Sequence, residues 1–536
     1  MDYKRILVIS DLHMTSGKNP HTGVWAATED FFWDKEFYDF IEFYKNGSPS
    51  LLIINGDLLD FLQVLVFPTD EEKKLYSISN EEINKTYGLR CTENASVFQV
   101  DKIFEGHREF FEALALFISH GNFVKILKGN HDIQLYWQKV QERIIQNLEE
   151  LTDGENKKLI RTNLEFLPWF YYIPGKLYVE HGNQYEYTTS FRNFLYPFLP
   201  FDYEGVSSQI ELDLSSFLVR YFSNRMEPVN PLSDNIRPLS KYLDEFWKNY
   251  PYIFITSIGT ASRYVLKAFS KARAASKMKK KSDAVDKKNY ELIKLEAERY
   301  FPDNIGQREW FEKNLYKINS LKEEPVLSSG AFSFLWNMVK TPLKGLLWAL
   351  PLYIFFILSD FLRPLAEKLD ESTWKDVLLF LFKIKFPEIL LALLITISLI
   401  SLRTWLRKKR AKKEKPEPDE IRIKIRKSAQ KIAEYLDVGV VVFGHTHYAD
   451  IHKISDNAFY FNTGTWMGIF APEEELYRDA KQFTFFLMEG DEEKLLHWNI
   501  DRSRPQPVIV VDTEIPLTEE EDSFIKIFFS FFKRNT

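Results

Sequence analysis

The chain has 536 residues, and its 70 lysines and arginines nearly balance its 76 aspartates and glutamates, for a formal net charge of −6. This balance excludes a general polyanion binder and an acidic disordered chain, and a single cysteine, Cys91, excludes an intramolecular disulfide framework and a cysteine-based zinc site. A mean hydropathy of −0.27 excludes a polytopic transporter, although 46 residues are phenylalanine and aromatic residues reach 16%.

Three short apolar runs in the first part of the chain predict buried strands, at residues 4–9, 51–54 and 123–127. No signal peptide of ordinary length precedes the first run, which predicts that this part of the chain stays in the cytosol. Apolar residues share one face of 106–119, which predicts a helix between the later strands. Strands that alternate with helices indicate an α/β domain, in which ligands gather at the carboxyl ends of the strands.

Further strands are predicted on both sides of a long helical stretch. Residues 164–173 and 176–180 predict a β-hairpin around Pro174-Gly175. The chain is then helical or irregular until about residue 435. Later strands are predicted at 438–443, 457–462, 483–488 and 508–512. The predicted organisation is one split domain (1–190 and 436–515), a helical insertion (191–435) and an aromatic C-terminal tail (516–536).

Two apolar runs within the insertion, 345–358 and 389–402, predict contact with a membrane. Each has an uninterrupted apolar core of 14 residues, whereas a spanning helix needs about 20, and Pro351 would kink the first. Residues 403–415 follow with eight lysines and arginines and one glutamate, a pattern typical of a boundary that faces anionic lipid. We therefore predict a membrane hairpin or a deep re-entrant pair at 343–402 with a basic collar at 403–415. The alternatives are two buried helices of a soluble bundle or helices that lie in the membrane interface.

The aromatic tail carries a second indication of membrane contact. Five phenylalanines lie close to two lysines in 524–533, which predicts either an interfacial anchor or a helix docked on the insertion. Together these segments predict membrane lipid as a partner and a location at the cytoplasmic face of the inner or plasma membrane.

Seven side chains that bind hard or borderline metals follow the predicted strands. They are Asp11, His13, Asp57, Asn130, His181, His445 and His447. Oxygen and nitrogen ligands without thiolate suit Mn²⁺, Fe or Zn²⁺ rather than a structural zinc site. Seven ligands suffice for two metals when one carboxylate bridges them at about 3.5–4 Å. The predicted cofactor is a pair of divalent metal ions, with Mn²⁺ preferred and Fe or Zn²⁺ as alternatives.

These side chains lie in five short motifs whose order resembles that of the calcineurin-like metallophosphoesterases. The motifs are Asp11-Leu12-His13, Gly56-Asp57, Gly129-Asn130-His131-Asp132, His181-Gly182 and Gly444-His445-Thr446-His447. The resemblance covers roughly residues 1–190 and 436–515. It implies a four-layer α/β/β/α sandwich that carries the helical insertion, and it implies hydrolysis of phosphoric esters or diphosphates.

The resemblance also implies a role for each residue. The first metal would be held by Asp11, His13 and His447. The second metal would be held by Asn130, His181 and His445. Asp57 would bridge the two, and a hydroxide that both cations activate would attack phosphorus in line. His131 would stabilise the phosphoryl oxygen or protonate the leaving group, and Asp132 would orient His131 by accepting a ring N–H.

Several neighbouring residues are assigned to the support of the site or have two alternative roles. Asp60 is expected either to hold a ligand histidine or to cap the next helix. Asn183 and Gln184 are candidates for substrate contact, with a structural role as the alternative. Residues 462–465 resemble the family's closing turn and are expected to support the site. The remaining histidines are expected to be structural, namely His21, His107, His120, His452 and His497.

The resemblance does not select a substrate among phosphomonoesters, phosphodiesters and diphosphates. A UDP-2,3-diacylglucosamine-type pyrophosphatase acting on a lipid-linked diphosphate is one alternative, although His131 stands where that enzyme typically has arginine, and the insertion here is far longer. A nuclease is another, because the lysine-rich segment 271–288 can contact a phosphate backbone, but its acidic residues disfavour a nucleic-acid partner. A protein-binding scaffold is the non-enzymatic alternative, and the complete ligand set disfavours it. The predicted partner is therefore a phosphorylated small molecule or a lipid-linked substrate.

Overall fold

The computed structural model describes residues 3–47, 49–199, 208–221, 279–323, 420–467 and 482–508, together with residues 202, 206 and 224. All of these except Glu420 belong to one compact unit of the chain. The predicted membrane hairpin, basic collar and aromatic tail lie outside the described residues. Within the described part of the chain, no helix has both the length and the apolar character needed to cross a membrane.

The described strands and helices follow the α/β pattern that the sequence predicts. The strands are β1 (Arg5–Ile9), β2 (Ser50–Asn55), β3 (Ile83–Asn84), β4 (Gly88–Leu89), β5 (Phe123–Leu127), β6 (Leu164–Leu167), β7 (Phe170–Ile173), β8 (Leu177–Glu180), β9 (Val440–Phe443), β10 (Ala449–Ser455), β11 (Ala458–Thr463), β12 (Thr484–Glu489), β13 (Glu492–Asn499) and β14 (Arg504–Pro507). The helices are α1 (Asp34–Tyr44), α2 (Asp70–Tyr76), α3 (Glu93–Gly106), α4 (Arg108–Ser119), α5 (Gln138–Glu150), α6 (Asn156–Asn163), α7 (Leu214–Tyr221), α8 (Lys279–Tyr300), α9 (Ile305–Ser320) and α10 (Glu420–Leu436). Short 3₁₀ turns lie at Phe61–Gln63, Asn80–Glu82, Ile133–Tyr136 and Asn183–Tyr185.

Two sheets carry most of the described strands. The first has the order β14-β13-β12-β1-β2-β5-β6, and the second has the order β10-β11-β9-β8-β7. Strands β1, β2, β5 and β6 are parallel in the first sheet, and β8, β9 and β11 are parallel in the second. The loops that follow these parallel strands therefore emerge at one edge of each sheet.

The two sheets stack face to face, with helices on their outer faces. Alternate residues of a strand point to opposite sides, and in β1 Val8 joins an apolar core with Val179 of β8 and Val442 of β9. That core lies between the sheets, because its members come from both of them. Leu7 points the other way, into a core that it shares with Phe110 of α4. The predicted α/β fold class is confirmed.

Helices α8, α9 and α10 form the outer layer on the second sheet. The ring of Tyr172 in β7 stacks on Phe311 of α9 with 4.8 Å between centroids, and the Tyr300 hydroxyl of α8 donates to the Phe170 carbonyl at 2.9 Å. These helices lie almost entirely within the range 191–435. Part of the predicted insertion thus packs directly on the sandwich, and its boundaries as a domain stay a prediction.

The predicted hairpin of 164–173 and 176–180 is confirmed for Phe170–Ile173 and Leu177–Glu180 but is wrong for residues 164–167. Strand β6 pairs with β5 in the first sheet, whereas β7 pairs antiparallel with β8 in the second. The chain crosses between the sheets at Pro168-Trp169, and the Trp169 indole N–H donates to Glu180 Oε1 at 2.9 Å. A largely apolar and aromatic run does not reveal that its two halves join different sheets.

A buried ion cluster anchors the segment that follows β1. His107 Nε2 lies 3.1 Å from Glu29 Oε2, and its Nδ1 lies 3.0 Å from Asp34 Oδ1. Glu29 in turn accepts the backbone N–H groups of Thr15 and Gly17, at 3.2 and 2.8 Å. Burial disfavours a charged imidazole, but the two carboxylates outweigh it and raise the pKa of His107 to about 10. The cluster therefore contains a protonated histidine at neutral pH.

This cluster predicts a loss of stability at alkaline pH. Because the pKa of His107 rises from 6.5 to about 10 on folding, its contribution is complete below pH 6.5 and is lost as the pH increases through about 10. We expect the free energy of unfolding to fall in this window by up to about 1.4 kcal/mol per pH unit. Urea denaturation of the full-length protein at several pH values measures this slope. The His107→Gln variant should show a shallower fall, and equal slopes in the two proteins would contradict the assignment.

Candidate metal centre

The ends of parallel strands from both sheets carry the predicted site residues to one place. Asp11 and Asp57 follow β1 and β2, and Asn130 follows β5, at one edge of the first sheet. His181 directly follows β8 and His445 follows β9, at the edge of the second sheet. The stacking of the sheets brings these edges together, as expected for ligand sites in α/β domains.

The backbone of this region is unusually strained. Five of the seven predicted ligands have a positive φ angle, namely Asp11 (56°), His13 (52°), Asp57 (51°), His445 (68°) and His447 (60°). Each such conformation costs a non-glycine residue about 1–3 kcal/mol and is found preferentially at functional sites. The strain is therefore independent structural support for a functional role of this cluster.

Two motif glycines allow the loops to approach the carboxylates closely. A side chain at Gly129 would collide with Asp57 Oδ1, and one at Gly444 would lie 2.7 Å from Asp11 Oδ2. In the absence of these side chains, the N–H of His131 donates to Asp57 Oδ1 at 2.8 Å, and the N–H of His445 donates to Asp11 Oδ2 at 2.9 Å. Each carboxylate is thus fixed by one oxygen, which leaves its other oxygen for the site.

The first group that can hold a metal ion comprises Asp11, His13 and His447, whose donor atoms lie within 4.8 Å of one another. Asp11 Oδ1 is 3.3 Å from His447 Nε2 and 3.9 Å from His13 Nε2. These are the three residues that the resemblance implies for the first metal.

The second group comprises Asp57, His181 and His445, again within 4.8 Å. Asp57 Oδ2 lies 3.0 Å from His181 Nε2 and 3.7 Å from His13 Nε2, so one oxygen faces both groups. The His181 Nδ1–H donates to the Asn55 carbonyl at 2.8 Å, which leaves Nε2 for a metal. This arrangement matches the bridging role expected of Asp57.

Several buried polar atoms of the cluster make no hydrogen bond to the described residues, and this property indicates whether metal ions fit the site. Asp11 Oδ1, His13 Nε2 and Asn130 Oδ1 are buried and make no hydrogen bond within the described part of the chain, whereas buried polar atoms nearly always have a partner. Burial opposes ionisation of Asp57, but His181 and His131 hold the pKa of its carboxyl well below the usual range. Anionic oxygens and a His13 nitrogen without a hydrogen bond fit a binuclear metal site, and the metal's identity stays a prediction.

His131 lies beside the metal groups, but its predicted partner is wrong. Its Nδ1 lies 2.6 Å from Asp60 Oδ2, not on Asp132. Asp132 is occupied by backbone amides, accepting from Leu58 at 2.9 Å and from Gly129 at 2.5 Å. Asp132 therefore shapes the loop that carries Asn130 and does not orient the imidazole.

Asp60 caps the next turn, which is one of the two predicted alternatives, and it also contacts a histidine, although that histidine is His131 and not one of the predicted ligands. Its Oδ1 accepts the N–H groups of Leu62 and Gln63 at the start of a 3₁₀ turn, at 3.0 and 3.2 Å, and its Oδ2 accepts from His131. Burial opposes ionisation, but the His131 and His13 rings outweigh it and lower the pKa of Asp60 to about 2. His131 also forms a further group with Asp57 and His13, in which one ligand atom of each residue lies within 4.8 Å of the others.

The side chains of Asn183 and Gln184 are occupied within their own loop. Asn183 Nδ2 donates to the Thr189 carbonyl at 3.0 Å, and Gln184 Oε1 accepts the Phe191 N–H at 2.7 Å. These contacts favour the structural alternative over substrate contact. The turn at 462–465 supports the site as expected, because Thr465 Oγ1 donates to the Asp11 carbonyl at 2.7 Å.

One residue at the site was not predicted. Glu186 Oε2 lies 2.9 Å from His445 Nε2, in a contact that joins positions 259 residues apart in the chain. Glu186 is in no motif and follows no predicted strand directly, so neither spacing nor periodicity indicates it.

Comparison with known proteins gives one match. Residues 4–216 match the family model described as calcineurin-like phosphoesterase. The match includes the predicted ligands from Asp11 to His181, whereas His445 and His447 lie beyond it. No curated protein and no solved structure matches the chain.

Proposed function

We propose that this chain, whose residues 4–216 belong to the calcineurin-like phosphoesterase family, is a metal-dependent phosphoester hydrolase that uses two metal ions. The observation that carries the proposal is the position of Asp57 Oδ2, 3.0 Å from His181 Nε2 and 3.7 Å from His13 Nε2. One carboxylate oxygen that faces two groups of ligands is the geometry that a binuclear centre requires.

The residues of the cluster have distinct proposed roles. Asp11, His13 and His447 would hold one cation, Asn130, His181 and His445 the other, and Asp57 both. Two divalent cations held there supply charge stabilisation for the phosphoryl group and activate water as a nucleophile. His131, held at Nδ1 by Asp60, presents Nε2 as a hydrogen-bond or proton donor to a phosphoryl or leaving-group oxygen. The Asp60 and Asp57 carboxylates support this role, because they outweigh burial and raise the pKa of His131.

A hydrolysis screen tests this function and narrows the substrate. Purified full-length protein with Mn²⁺ is incubated with an aryl phosphomonoester, an aryl phosphodiester, a lipid-linked diphosphate and single-stranded DNA. We expect hydrolysis of at least one phosphoester or diphosphate, loss of the activity with a chelator and recovery with Mn²⁺. A metal-loaded protein that hydrolyses none of the four would favour a binding scaffold instead.

Membrane attachment is a separate part of the proposal and is supported by the sequence pattern alone. The apolar runs within 343–402 and the basic collar at 403–415 would hold the enzyme at the cytoplasmic face of the inner or plasma membrane, where it would meet an amphiphilic phosphoester. Cell fractionation of the full-length chain and of a variant without 341–415 tests this. A full-length chain that is soluble without detergent contradicts it.

A further inference from the structure

We propose that Glu186 is a positioning residue for the second metal: its carboxylate holds the His445 ring so that Nδ1 faces the metal position beside His181 and Asp57. The inference rests on the proposed function, because it takes His445 as a metal ligand. It concerns a residue outside the five sequence motifs.

The hydrogen bonds around His445 determine which ring nitrogen carries the proton. Its Nε2 lies 2.9 Å from Glu186 Oε2 and 3.1 Å from Thr189 Oγ1. The Thr189 hydroxyl donates to the Asn183 carbonyl at 2.9 Å, so it can only accept from the ring. Both groups that face Nε2 are therefore acceptors, the proton lies on Nε2, and Nδ1 keeps the lone pair that a metal requires.

Burial makes this contact strong. Glu186 is 8% exposed and His445 is 1% exposed. A hydrogen bond to a charged carboxylate is stronger than one between neutral groups, and exclusion of water strengthens it further. The other oxygen of Glu186 accepts from the Thr188 hydroxyl. The carboxylate is thus held at both oxygens, which restricts rotation of the His445 ring.

The loop that carries Glu186 is braced by segments from the predicted insertion. The N–H of Ser215, in α7, donates to the Thr188 carbonyl at 2.9 Å, and the N–H of Glu323 donates to the Gln184 carbonyl at 2.9 Å. Both Ser215 and Glu323 lie within 191–435. Glu186 thereby connects the insertion to the metal centre through a continuous set of hydrogen bonds.

Helix α7 also approaches Asn130, which like His445 is a predicted ligand of the second metal. Ser216 Oγ of α7 donates to Asp213 Oδ2 at 2.6 Å and lies 3.4 Å from the Asn130 carbonyl oxygen. Asn130 and His445 are both assigned to the second metal, whereas Asp11, His13 and His447 are assigned to the first. Loss of the Glu186 contact should therefore weaken binding of one metal ion selectively.

The experiment is a calorimetric titration of metal-free, full-length protein with Mn²⁺. Glu186→Met removes the acceptor at nearly constant length, and Glu186→Gln keeps an acceptor but removes the charge. In Glu186→Met we expect one Mn²⁺ to bind about 10–100-fold more weakly, the usual cost of losing such a partner, with the other affinity nearly unchanged. Glu186→Gln should recover much of the loss.

Glu296→Met is the matched control, because Glu296 is also a glutamate at 8% exposure and lies on α8, outside the metal groups. It should leave both affinities unchanged. If Glu186→Met binds both Mn²⁺ ions as tightly as the wild-type protein, or if both sites weaken equally, the role of Glu186 is overturned. The proposed function would still be supported in that case if the wild-type protein binds two Mn²⁺ ions. A wild-type protein that binds no Mn²⁺ would overturn both.

Discussion

Replacement of Asp57 by asparagine is expected to abolish Mn²⁺-dependent hydrolysis of an aryl phosphate ester while leaving the fold largely intact. Asparagine can still accept the His131 N–H through Oδ1, a bond of 2.8 Å in the wild type, so the loop keeps its anchor. It removes the anionic oxygen that faces both metal groups, 3.0 Å from His181 Nε2. Metal ions supply several kcal/mol of transition-state stabilisation, so a loss of roughly 10³-fold or more in kcat/KM is expected.

A variant of a second buried aspartate serves as the control that distinguishes loss of catalytic activity from loss of stability. Asp101 binds Arg143 at 2.7 Å and lies outside the metal groups. Asp101→Asn should lower the midpoint of thermal unfolding and leave kcat nearly unchanged. Asp57→Asn should lower kcat and leave the midpoint of thermal unfolding nearly unchanged. Near-wild-type hydrolysis by Asp57→Asn would contradict the assignment of the bridging ligand.

Loss of the His131 side chain should produce the second-largest effect. A positioned acid or base contributes about 10²–10⁴-fold, and His131→Asn should lower kcat by a factor in this range. The decrease should be smaller for a 4-nitrophenyl ester than for an alkyl ester, because a good leaving group needs less help from a proton donor. Steady-state kinetics with both esters measures the difference.

Asp60 should act through His131 and not independently. Its Oδ2 is 2.6 Å from His131 Nδ1, so Asp60→Asn should lower kcat by a smaller factor. The double variant should be no slower than His131→Asn alone, because residues that act as one unit are not additive. Multiplied effects in the double variant would show that Asp60 has a separate role.

Much of the site was predictable because its ligand side chains come directly after strands that the sequence predicts. Short apolar runs specify β1, β2 and β5, and parallel strands place the residues after them at one edge. Asp11, Asp57 and Asn130 therefore come together for reasons that local sequence contains. His445 and His447 follow β9 in the same manner, although more than 250 residues separate them from His181.

The partners that orient these residues were harder to predict because they depend on tertiary contacts. Asp132 adjoins His131 in sequence and is the natural local choice, but the loop turns its carboxylate onto the amides of Leu58 and Gly129. Asp60, 71 residues away, takes its place. Sequence proximity identifies neighbours along the chain, whereas ring orientation depends on which carboxylate the fold brings within hydrogen-bond distance.

The packing of the outer elements was also hard to predict from the sequence, because it too depends on tertiary contacts. Residues 164–173 are mostly apolar and aromatic, yet they divide between two sheets at Pro168-Trp169. Helices α8 and α9 look like parts of an inserted domain, but the contacts of Tyr172 with Tyr300 of α8 and with Phe311 of α9 place them on the sandwich. Apolar periodicity predicts that a face is buried without naming the surface that covers it.

The most direct test of the binuclear centre is anomalous X-ray scattering from crystals of the full-length protein loaded with Mn²⁺. Two peaks are expected about 3.5–4 Å apart, one on each side of Asp57 Oδ2, with Asp11, His13 and His447 around one and Asn130, His181 and His445 around the other. A single peak that does not contact Asp57, or no peak among these residues in protein exposed to saturating Mn²⁺, would contradict the two-metal centre.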